Sequence, residues 1–359
     1  MKSKKIIEAI KILAGEIGRP LNIMEVCGTH TVSIFRSGIK SILPSNINLV
    51  AGPGCPVCVT SVFDIDKAIF LARKKDTILL TYGDLFKVPG SKENLEAVKA
   101  SGEDVRIIYS ALDAIKIAKE NPKKEVVFAT VGFETTAPAT AVLLEELKTK
   151  KIKNLSIFSM HKTVPEALVA LLKNPQIKID AFLLPGHVST VIGGVKAYQF
   201  ISKEYKKPAV VSGFEAQDIL ESLLLLLLMF KEKKAEIKIQ YQRIVSKEGN
   251  KEALKILDKV FKKTGAEWRG LGVIKNSGLK LNNKFVQFDA EKRFKIKVAP
   301  AKENSLCQCG KIIQGLKEPS NCLMFGKACT PQNPKGPCMV SSEGTCAAYY
   351  KYGNLDVRV

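Results

Sequence analysis

The stretch LNIMEVCGTHT, residues 21–31, decides the fold. A short apolar strand runs directly into a cysteine and a glycine, and a helical pattern follows. The same order of strand, polar or glycine-containing turn and helical pattern recurs up to about Phe230. Unbroken apolar strands that alternate with helices are typical of parallel sheets covered on both faces. The predicted strands are LNIMEV, INLVAG, TILLTY, EVVFATVG, LSIFSM, AFLLPG and PAVVSG.

We therefore predict an α/β protein with two small parallel-sheet, Rossmann-like αβ domains side by side. A first α/β domain spans residues 1–120 and a second spans residues 121–230, with the limit at KENPKKE. Beyond it, residues 231–359 become rich in turn signals, and from Lys302 glycine, proline and cysteine dominate. We predict a loop-rich C-terminal iron–sulfur domain there, held by a cofactor rather than by a core.

Composition limits the classes of function. The 359 residues carry a formal net charge of +21, but the lysines are spread along helical faces without a basic stripe or interleaved aromatic residues. The longest apolar run, residues 223–230, is far too short to span a membrane. The first 20 residues predict an amphipathic helix rather than a signal peptide. We predict a cytoplasmic protein that binds neither nucleic acid nor a membrane.

Nine cysteines are many for a cytosolic chain, and their distribution does not suit a disulfide scaffold. Three lie within residues 27–58 and six within residues 307–346. Such clustering indicates metal or redox chemistry at two places. The spacing of the six is neither that of a zinc ribbon nor that of a bacterial ferredoxin. A [4Fe–4S] cluster held by four of them is favoured over a structural zinc site.

The amino-terminal cysteines are placed for chemistry. In AGPGCPVCVT, residues 51–60, Cys55 and Cys58 have a C-x-x-C spacing near a predicted helix start, which lowers the pKa of thiols. A redox dithiol and half of a metal site both remain open for this pair. Cys27 follows a strand directly, so we expect it to be accessible, and His30 comes three residues later. A thiolate beside an imidazole suits iron binding or nucleophilic attack.

Further polar residues follow the predicted strands. In open parallel sheets, ligands bind beyond the carboxyl ends of the strands. In VGFETTAP, residues 131–138, the Glu134 carboxylate has the chemistry for ligand binding or proton transfer, and helix capping is the alternative. Other candidates at strand ends are Asp84, Thr135, Thr136, His161, His187 and Glu215.

Seven stretches together resemble the HypD family of [NiFe]-hydrogenase maturation proteins, in order and over nearly the whole chain. They are MEVCGTHT, GPGCPVCVT, TYGDLFKVPG, VGFETTAP, PGHVSTVIG, SGFEAQDIL and the tail with six cysteines. The resemblance implies a hydrogenase maturation factor that acts as a scaffold for assembly of the Fe(CN)2CO group. It also implies two partners, HypC in a stable complex that shares the iron, and HypE, which delivers cyanide from a thiocyanate made with HypF.

The resemblance implies roles for single residues. Cys27 is the expected iron ligand with His30 beside it, and Cys55 with Cys58 is the expected redox dithiol. The tail is expected to hold a [4Fe–4S] cluster, in an arrangement similar to that of ferredoxin–thioredoxin reductases. We assign the cluster to Cys307, Cys322, Cys329 and Cys346.

Cys309 and Cys338 are then left as a second redox pair, although exchanging Cys307 and Cys309 fits nearly as well. A relay from the cluster through this pair to Cys55 and Cys58 would supply the electrons for cyanide attachment. His30 and Glu134 complete the set of candidate catalytic residues. One alternative is a stand-alone, cluster-fed thiol–disulfide reductase, which would not need Cys27. Another is a zinc-stabilised nucleic-acid binder, whose binding would weaken steeply with salt.

Overall fold

The computed structural model describes residues 2–301 and 303–353, so the last six residues of the third predicted domain lie outside it. Its strands follow the predicted apolar stretches closely. In chain order they are β1 (Leu21–Glu25), β2 (Ile47–Ala51), β3 (Thr77–Thr81), β4 (Asp104–Ile107), β5 (Glu125–Gly132), β6 (Leu155–His161), β7 (Ala181–Pro185), β8 (Ala209–Ser212), β9 (Ile237–Ile239), β10 (Phe261–Trp268) and β11 (Gly272–Leu281).

Helices connect the strands. They are α1 (Lys2–Ile17), α2 (Gly28–Arg36), α3 (Ile39–Ile42), α4 (Val62–Ala72), α5 (Gly83–Phe86), α6 (Leu95–Ala100), α7 (Asp113–Glu120), α8 (Ala137–Thr149), α9 (Val164–Lys173), α10 (Gly186–Ile192), α11 (Gln199–Lys203), α12 (Ala216–Lys231), α13 (Lys251–Val260), α14 (Ala290–Arg293), α15 (Cys309–Ile312), α16 (Pro337–Val340) and α17 (Thr345–Tyr352). Short 3-10 helices span Lys196–Tyr198, Asn283–Phe288 and Pro319–Asn321.

Two parallel sheets form the centre of the described chain, as the apolar strand pattern predicts. The first has the strand order β2-β1-β7-β8-β9, and the second has the order β4-β3-β5-β6. All pairs within both sheets are parallel. The short strand β4 was not predicted, because it lies at a sheet edge and alternates polar with apolar residues. The mixed α/β fold class with parallel-sheet domains is confirmed.

The sheets are not divided along the chain at residue 120. The chain builds β1 and β2, then the whole second sheet, and then returns to the first sheet with β7, where Met24 pairs with Phe182. The limit predicted near residue 120 falls between β4 and β5, which both belong to the second sheet. Strand patterns report burial rather than partners, so they do not show such an interruption.

Three apolar clusters hold these layers together. One lies where α1, α2 and α12 cover the first sheet, and another where α7, α8 and α13 cover the second. The run at residues 223–230 lies within α12 and packs there, as predicted for a buried helix. No helix in the described ranges combines the length and apolar character needed to cross a membrane.

The third cluster joins both sheets to the C-terminal tail. It contains Met24 and Phe158 from the sheets together with Ile312, Met339 and other tail residues. The tail was expected to depend on a cofactor instead of a core, but its cysteines and aliphatic residues are part of this shared core. The antiparallel hairpin of β10 and β11 lies against β6 of the second sheet, where Ser159 Oγ donates to the carbonyl oxygen of Leu279 at 2.6 Å.

Candidate functional site

Cys27 lies where the chain leaves β1 and enters α2. Its backbone is extended because it is the N-cap residue of that helix. Two glycines let other segments approach it: a side chain on Gly54 would overlap the backbone of Cys27, and one on Gly28 would overlap Glu343. The turn that precedes Cys55 and the cysteine-rich tail are therefore packed directly against Cys27.

The Cys27 thiol is buried, so the expectation of an accessible cysteine is wrong. Burial first, and then the negative charge of Glu343, raises the pKa of Cys27 to about 12, while hydrogen bonding with Thr29 opposes this shift. The tail covers this strand end, which the local sequence does not reveal. A thiol with so high a pKa is protonated at pH 7, so a metal ion that binds it must displace the proton.

Two imidazoles stack on one phenyl ring near this cysteine. The Phe214 ring lies 4.7 Å from the His30 ring and 3.8 Å from the His187 ring, between centroids. His30 Nε2 lies 3.0 Å from the carbonyl oxygen of Gly213, and Nδ1 has no hydrogen-bond partner among the described residues. Burial lowers the pKa of His30 to about 4, so its ring is neutral at pH 7. It presents a nitrogen that is free to bind a proton or a ligand.

Glu343 is a candidate that sequence reasoning missed. Its Oε1 accepts a hydrogen bond from Thr29 Oγ1 at 2.8 Å. Its charge raises the pKa of Cys27 and opposes the lowering of the His187 pKa by burial. One tail carboxylate therefore lies among residues from β1–α2 and from α10. No local signal marks this residue, because only the docking of the tail brings it here.

Five cysteines, Cys55, Cys58, Cys338, Cys309 and Cys307, form a continuous series of contacts that we call the thiol row. The Cys58 N–H donates to Cys55 Sγ at 3.1 Å. The Cys58 thiol contacts that of Cys338, whose sulfur lies 2.6 Å from Cys309 Sγ. Cys309 in turn is hydrogen-bonded to Cys307. The row joins the amino-terminal pair to the tail, and the Cys58 thiol also lies 3.9 Å from the carbonyl oxygen of Pro337, 279 positions away.

The environment of the row differs from the expectation. Helix α4 begins at Val62, so Cys55 and Cys58 lie in the preceding turn and not at a helix start. Burial raises the pKa of Cys58 well above its usual value. The pKa of Cys309 is also raised. Its hydrogen bond with Cys307 lowers the pKa, but its hydrogen bond with Cys338 and its burial outweigh that effect. The predicted low thiol pKa is therefore wrong for Cys58, whose thiol stays protonated at neutral pH.

The other three predicted cluster ligands lie near Cys329. Burial is the largest cause that raises the pKa of Cys329, and the charges of Cys346, Cys307 and Cys322 add to it. The Lys335 N–H donates to Cys329 Sγ at 3.3 Å. No three His, Cys, Asp or Glu side chains converge on a single-ion site in the described part of the chain. A [4Fe–4S] cluster binds each cysteine through a different iron, so four neighbouring soft donors and an N–H···S bond fit it.

Glu134 and His161 belong to the second sheet. Glu134 Oε1 accepts from the Val164 N–H at 3.0 Å, and Oε2 has no partner among the described residues. Burial raises the pKa of Glu134 to about 8 and lowers that of His161 to about 4. Glu134 therefore holds a proton at neutral pH. No hydrogen bond in the described residues links it to a cysteine, so its catalytic role stays a prediction.

Other strand-end candidates have structural partners. Asp84 Oδ2 accepts from Ser341 Oγ at 2.9 Å and so anchors the tail. Glu215 forms a capping box with Asp218 at the start of α12, and Thr136 is the N-cap of α8. The capping alternative therefore accounts for Glu215.

Glu25 and Lys162 are buried ionisable residues that the sequence analysis did not select. Burial raises the pKa of Glu25 well above its usual value, and Thr31 Oγ1 donates to its carboxylate. An acidic residue in an otherwise apolar strand was the available signal. Lys162 Nζ lies 3.4 Å from Asp64 Oδ2, and burial lowers its pKa. Nothing in its local sequence marks it.

Comparison with known proteins covers nearly the whole chain. A model of the HypD family, described as "Hydrogenase formation hypA family", matches residues 1–353. A hydrogenase maturation factor HypD of Cupriavidus necator is 43% identical over 346 residues, 94% of this chain and 91% of that protein. HypD of Rhodobacter capsulatus is 43% identical over 360 residues, 98% and 95% of the two chains. HypD of Escherichia coli K12 is 44% identical over 335 residues, 93% and 90%. The chain belongs to the HypD family of hydrogenase maturation factors.

Proposed function

We propose that this hydrogenase maturation factor is the scaffold on which the Fe(CN)2CO group is assembled in a complex with HypC. In this proposal the iron cargo is bound by Cys27 and by a cysteine of HypC, and HypE delivers cyanide. The observation that supports it most is the packing of the thiol row against Cys27. The Gly28 N–H donates to the carbonyl oxygen of Gly54 at 3.2 Å, and Gly54 directly precedes Cys55.

The surroundings of Cys27 suit a soft, low-charge metal cargo. An iron ion that carries cyanide and carbon monoxide favours thiolate ligands. The proton of Cys27 must leave when iron binds. Burial and the nearby charge of Glu343 hold that proton on the thiol, and the Nδ1 atom of His30 has no hydrogen-bond partner among the described residues. Burial of the thiol limits the access of water to the bound cargo. In this proposal Cys27 is the iron ligand, and the neutral His30 ring, three residues further along the chain, is the acceptor for its proton.

The thiol row suits the electron demand of cyanide transfer. Breaking the S–C bond of a thiocyanate needs two electrons: the sulfur leaves as a thiolate and the cyanide goes to iron. Cys55 and Cys58 supply these electrons when their dithiol becomes a disulfide and releases two protons. Cys58 contacts Cys338, and Cys338 contacts Cys309. Thiol–disulfide exchange along these contacts restores the dithiol.

The residues proposed to hold a cluster touch the same row. A [4Fe–4S] cluster held by Cys307, Cys322, Cys329 and Cys346 would supply single electrons when bound. Cys307 is hydrogen-bonded to Cys309, and Cys346 to Cys338. Both members of the tail pair therefore have a neighbour in the proposed ligand set. The burial of Cys58, which is 1% exposed, argues against a stand-alone reductase that attacks disulfides of other proteins.

The cluster is tested by anaerobic purification, with a visible spectrum and counts of iron, sulfide and zinc. We expect a brown protein with about four irons and four sulfides, and loss of both in Cys322→Ala. Ser320→Ala, a change in the neighbouring 3-10 helix, is the matched control and should keep the colour. A colourless wild-type protein that holds one zinc would remove the electron relay from the proposal.

The iron site is tested by infrared spectroscopy after co-expression with HypC and the other maturation proteins. We expect cyanide and carbon monoxide bands in the wild-type complex and none in Cys27→Ala, because the buried thiolate is the proposed ligand. Ser37→Ala, at the other end of α2, should keep the bands. Bands of full intensity in Cys27→Ala would show that this residue is not the ligand.

A further inference from the structure

A pocket opens where the loop at the end of TYGDLFKVPG faces the tail. Its volume is about 550 Å³, within the range of small-molecule sites. Its walls come from the loop between α5 and α6, from the turn after β10, and from the tail. The lining residues that matter here are Gly90, Ser91, Lys92, Arg269, Cys307 and Lys335.

Arg269 is the unusual residue of this pocket. It is 5% exposed, and its Nε donates to the carbonyl oxygen of Thr60 at 3.0 Å. Its Nη2 has no hydrogen-bond partner, and it forms no ion pair, among the described residues. A guanidinium group stays charged in proteins, and burying it without a partner is costly. Its charge opposes the raising of the Cys307 pKa by hydrogen bonding with Cys309 and by burial, so the Cys307 sulfur lies near it. No carboxylate of the described residues pairs with Arg269, and the side chain is therefore prepared for an anionic ligand.

The carboxylates near the pocket do not neutralise it. Glu93 is engaged by Arg73, whose Nε and Nη2 donate to it at 3.0 and 2.7 Å. Glu303 also lines the pocket but is exposed to solvent. Lys92 and Lys335 add positive charge at the rim. The balance of charge favours an anionic ligand.

The walls of the pocket are fixed in place. Ser91 N–H donates to Asp66 Oδ1 at 2.8 Å, and the Gly90 N–H donates to the carbonyl oxygen of Glu93 at 2.8 Å. A side chain at Gly90 would crowd Asp66 Oδ1, the Ile69 side chain and the carbonyl oxygen of Glu93. The loop is therefore a preformed wall, which lowers the entropic cost of binding.

We propose that this pocket binds a small oxyanion, the carboxylate or phosphate group of a metabolite-sized molecule, through the guanidinium of Arg269. The planar fork of Arg269 matches two oxygens of such a group, and Lys92 and Lys335 attract it. Cys307, the half-buried end of the thiol row, lines the same pocket. A bound anion therefore lies beside the residue proposed above as a cluster ligand. Cys27 is not among the residues that line this pocket.

The test is calorimetric titration of the anaerobically purified protein with inorganic phosphate and, separately, with citrate. We expect one saturable site for at least one of the two probes, and binding at least about tenfold weaker in Arg269→Gln. Arg269→Lys, which keeps the charge but loses the fork, should fall between the two. The better probe identifies the oxyanion class. The control is Arg19→Gln, an equal change of charge at an exposed arginine paired with Asp180.

A net charge of +21 makes non-specific adsorption of anions the main alternative. The proposal is overturned if neither probe saturates one site, or if Arg269→Gln and Arg19→Gln bind equally. If Arg269→Gln fails to fold, Lys92→Gln, a change of an exposed residue, is the second test of the site. We expect Lys92→Gln to bind the probes about threefold more weakly than wild type. Binding equal to that of Arg19→Gln overturns the proposal. Cys27→Ala should bind the probes like wild type, so this test is independent of the assembly function.

Discussion

His30 lies at the carboxyl edge of the first sheet, and His161 lies at that of the second. In both, Nε2 has a polar neighbour at 3.0 Å, Nδ1 has no partner among the described residues, and burial lowers the pKa to about 4. The edges differ in what covers them. The cysteine-rich tail covers the first, with Glu343 beside Cys27, while the β10–β11 hairpin lies against β6 of the second.

The comparison shows that the sheet supplies positions and the covering segment decides the chemistry. At the first edge, sulfur donors from distant parts of the chain meet and suit a soft metal and electron transfer. At the second edge, Glu134 holds a proton, and no cysteine is hydrogen-bonded to it in the described residues. Tyr198 is near residues of both edges: burial raises its pKa, and the charges of Glu134 and Cys27 add to this effect.

The largest effect is expected for Cys338→Ser, which removes the junction of the thiol row. Cys338 contacts Cys58, Cys309 and Cys346, so an oxygen there ends thiol–disulfide exchange along the row. Reduction of an oxidised Cys55–Cys58 pair by added dithionite should slow by about a hundredfold or more. The rate is measured by alkylation and mass spectrometry. Ser159→Ala at the second edge is the control, and equal rates in wild type and Cys338→Ser would show that the row carries no electrons.

Glu134→Gln should change how stability depends on pH. The folded protein keeps the proton of Glu134 up to about pH 8, whereas the unfolded chain releases it near 4.5. Its contribution is fully present below pH 4.5 and is lost as pH rises to 8, on the order of 5 kcal/mol. The free energy of unfolding of Glu134→Gln, measured in urea, should therefore fall less between pH 4.5 and pH 8 than that of wild type. The exposed Glu248→Gln is the control, and parallel curves for Glu134→Gln and wild type would contradict the buried, protonated state.

His161→Gln should act with the opposite sign. The folded protein holds the His161 ring neutral down to about pH 4, whereas the unfolded chain protonates it near 6.5. Stability is therefore lost as pH falls from 6.5 to 4, on the order of 3 kcal/mol. The variant should lose less stability in acid than wild type in the same urea assay. Thr140→Val removes the hydrogen-bond partner of His161 but keeps the imidazole, so it should lose as much stability in acid as wild type. A His161→Gln variant that loses stability as steeply as wild type would contradict the prediction.

The smallest effect is expected for Ser61→Ala, just beyond the Cys55–Cys58 turn. Ser61 Oγ accepts from the Asp64 N–H at 3.1 Å and caps α4. Its loss should lower the free energy of unfolding by about 1 kcal/mol. The thiol chemistry should not change, because α4 begins after both cysteines. Ser61→Asp keeps an acceptor and should be near wild type; a loss of thiol reduction in Ser61→Ala would mean that the helix start positions Cys58 after all.

The sequence alone predicted a large part of this molecule. Seven strands of the two sheets follow from unbroken apolar runs, because a strand that is buried on both faces needs apolar residues at nearly every position. The strand-end positions of Cys27, Glu134 and His161 follow from the same units. The spacing of the motifs was specific enough to indicate the family.

Other features depend on contacts between residues that are far apart in the chain. The pairing of β1 with β7, the meeting of Cys58 with Cys338, and the docking of Glu343 beside Cys27 each join distant segments. A local sequence pattern indicates burial and backbone conformation, but the same pattern can pair with many different segments. The sequence thus determined which elements form and which residues lie at their ends. Only the tertiary structure decided which ends meet, and therefore that buried thiols have raised pKa values, since burial results from packing between distant segments.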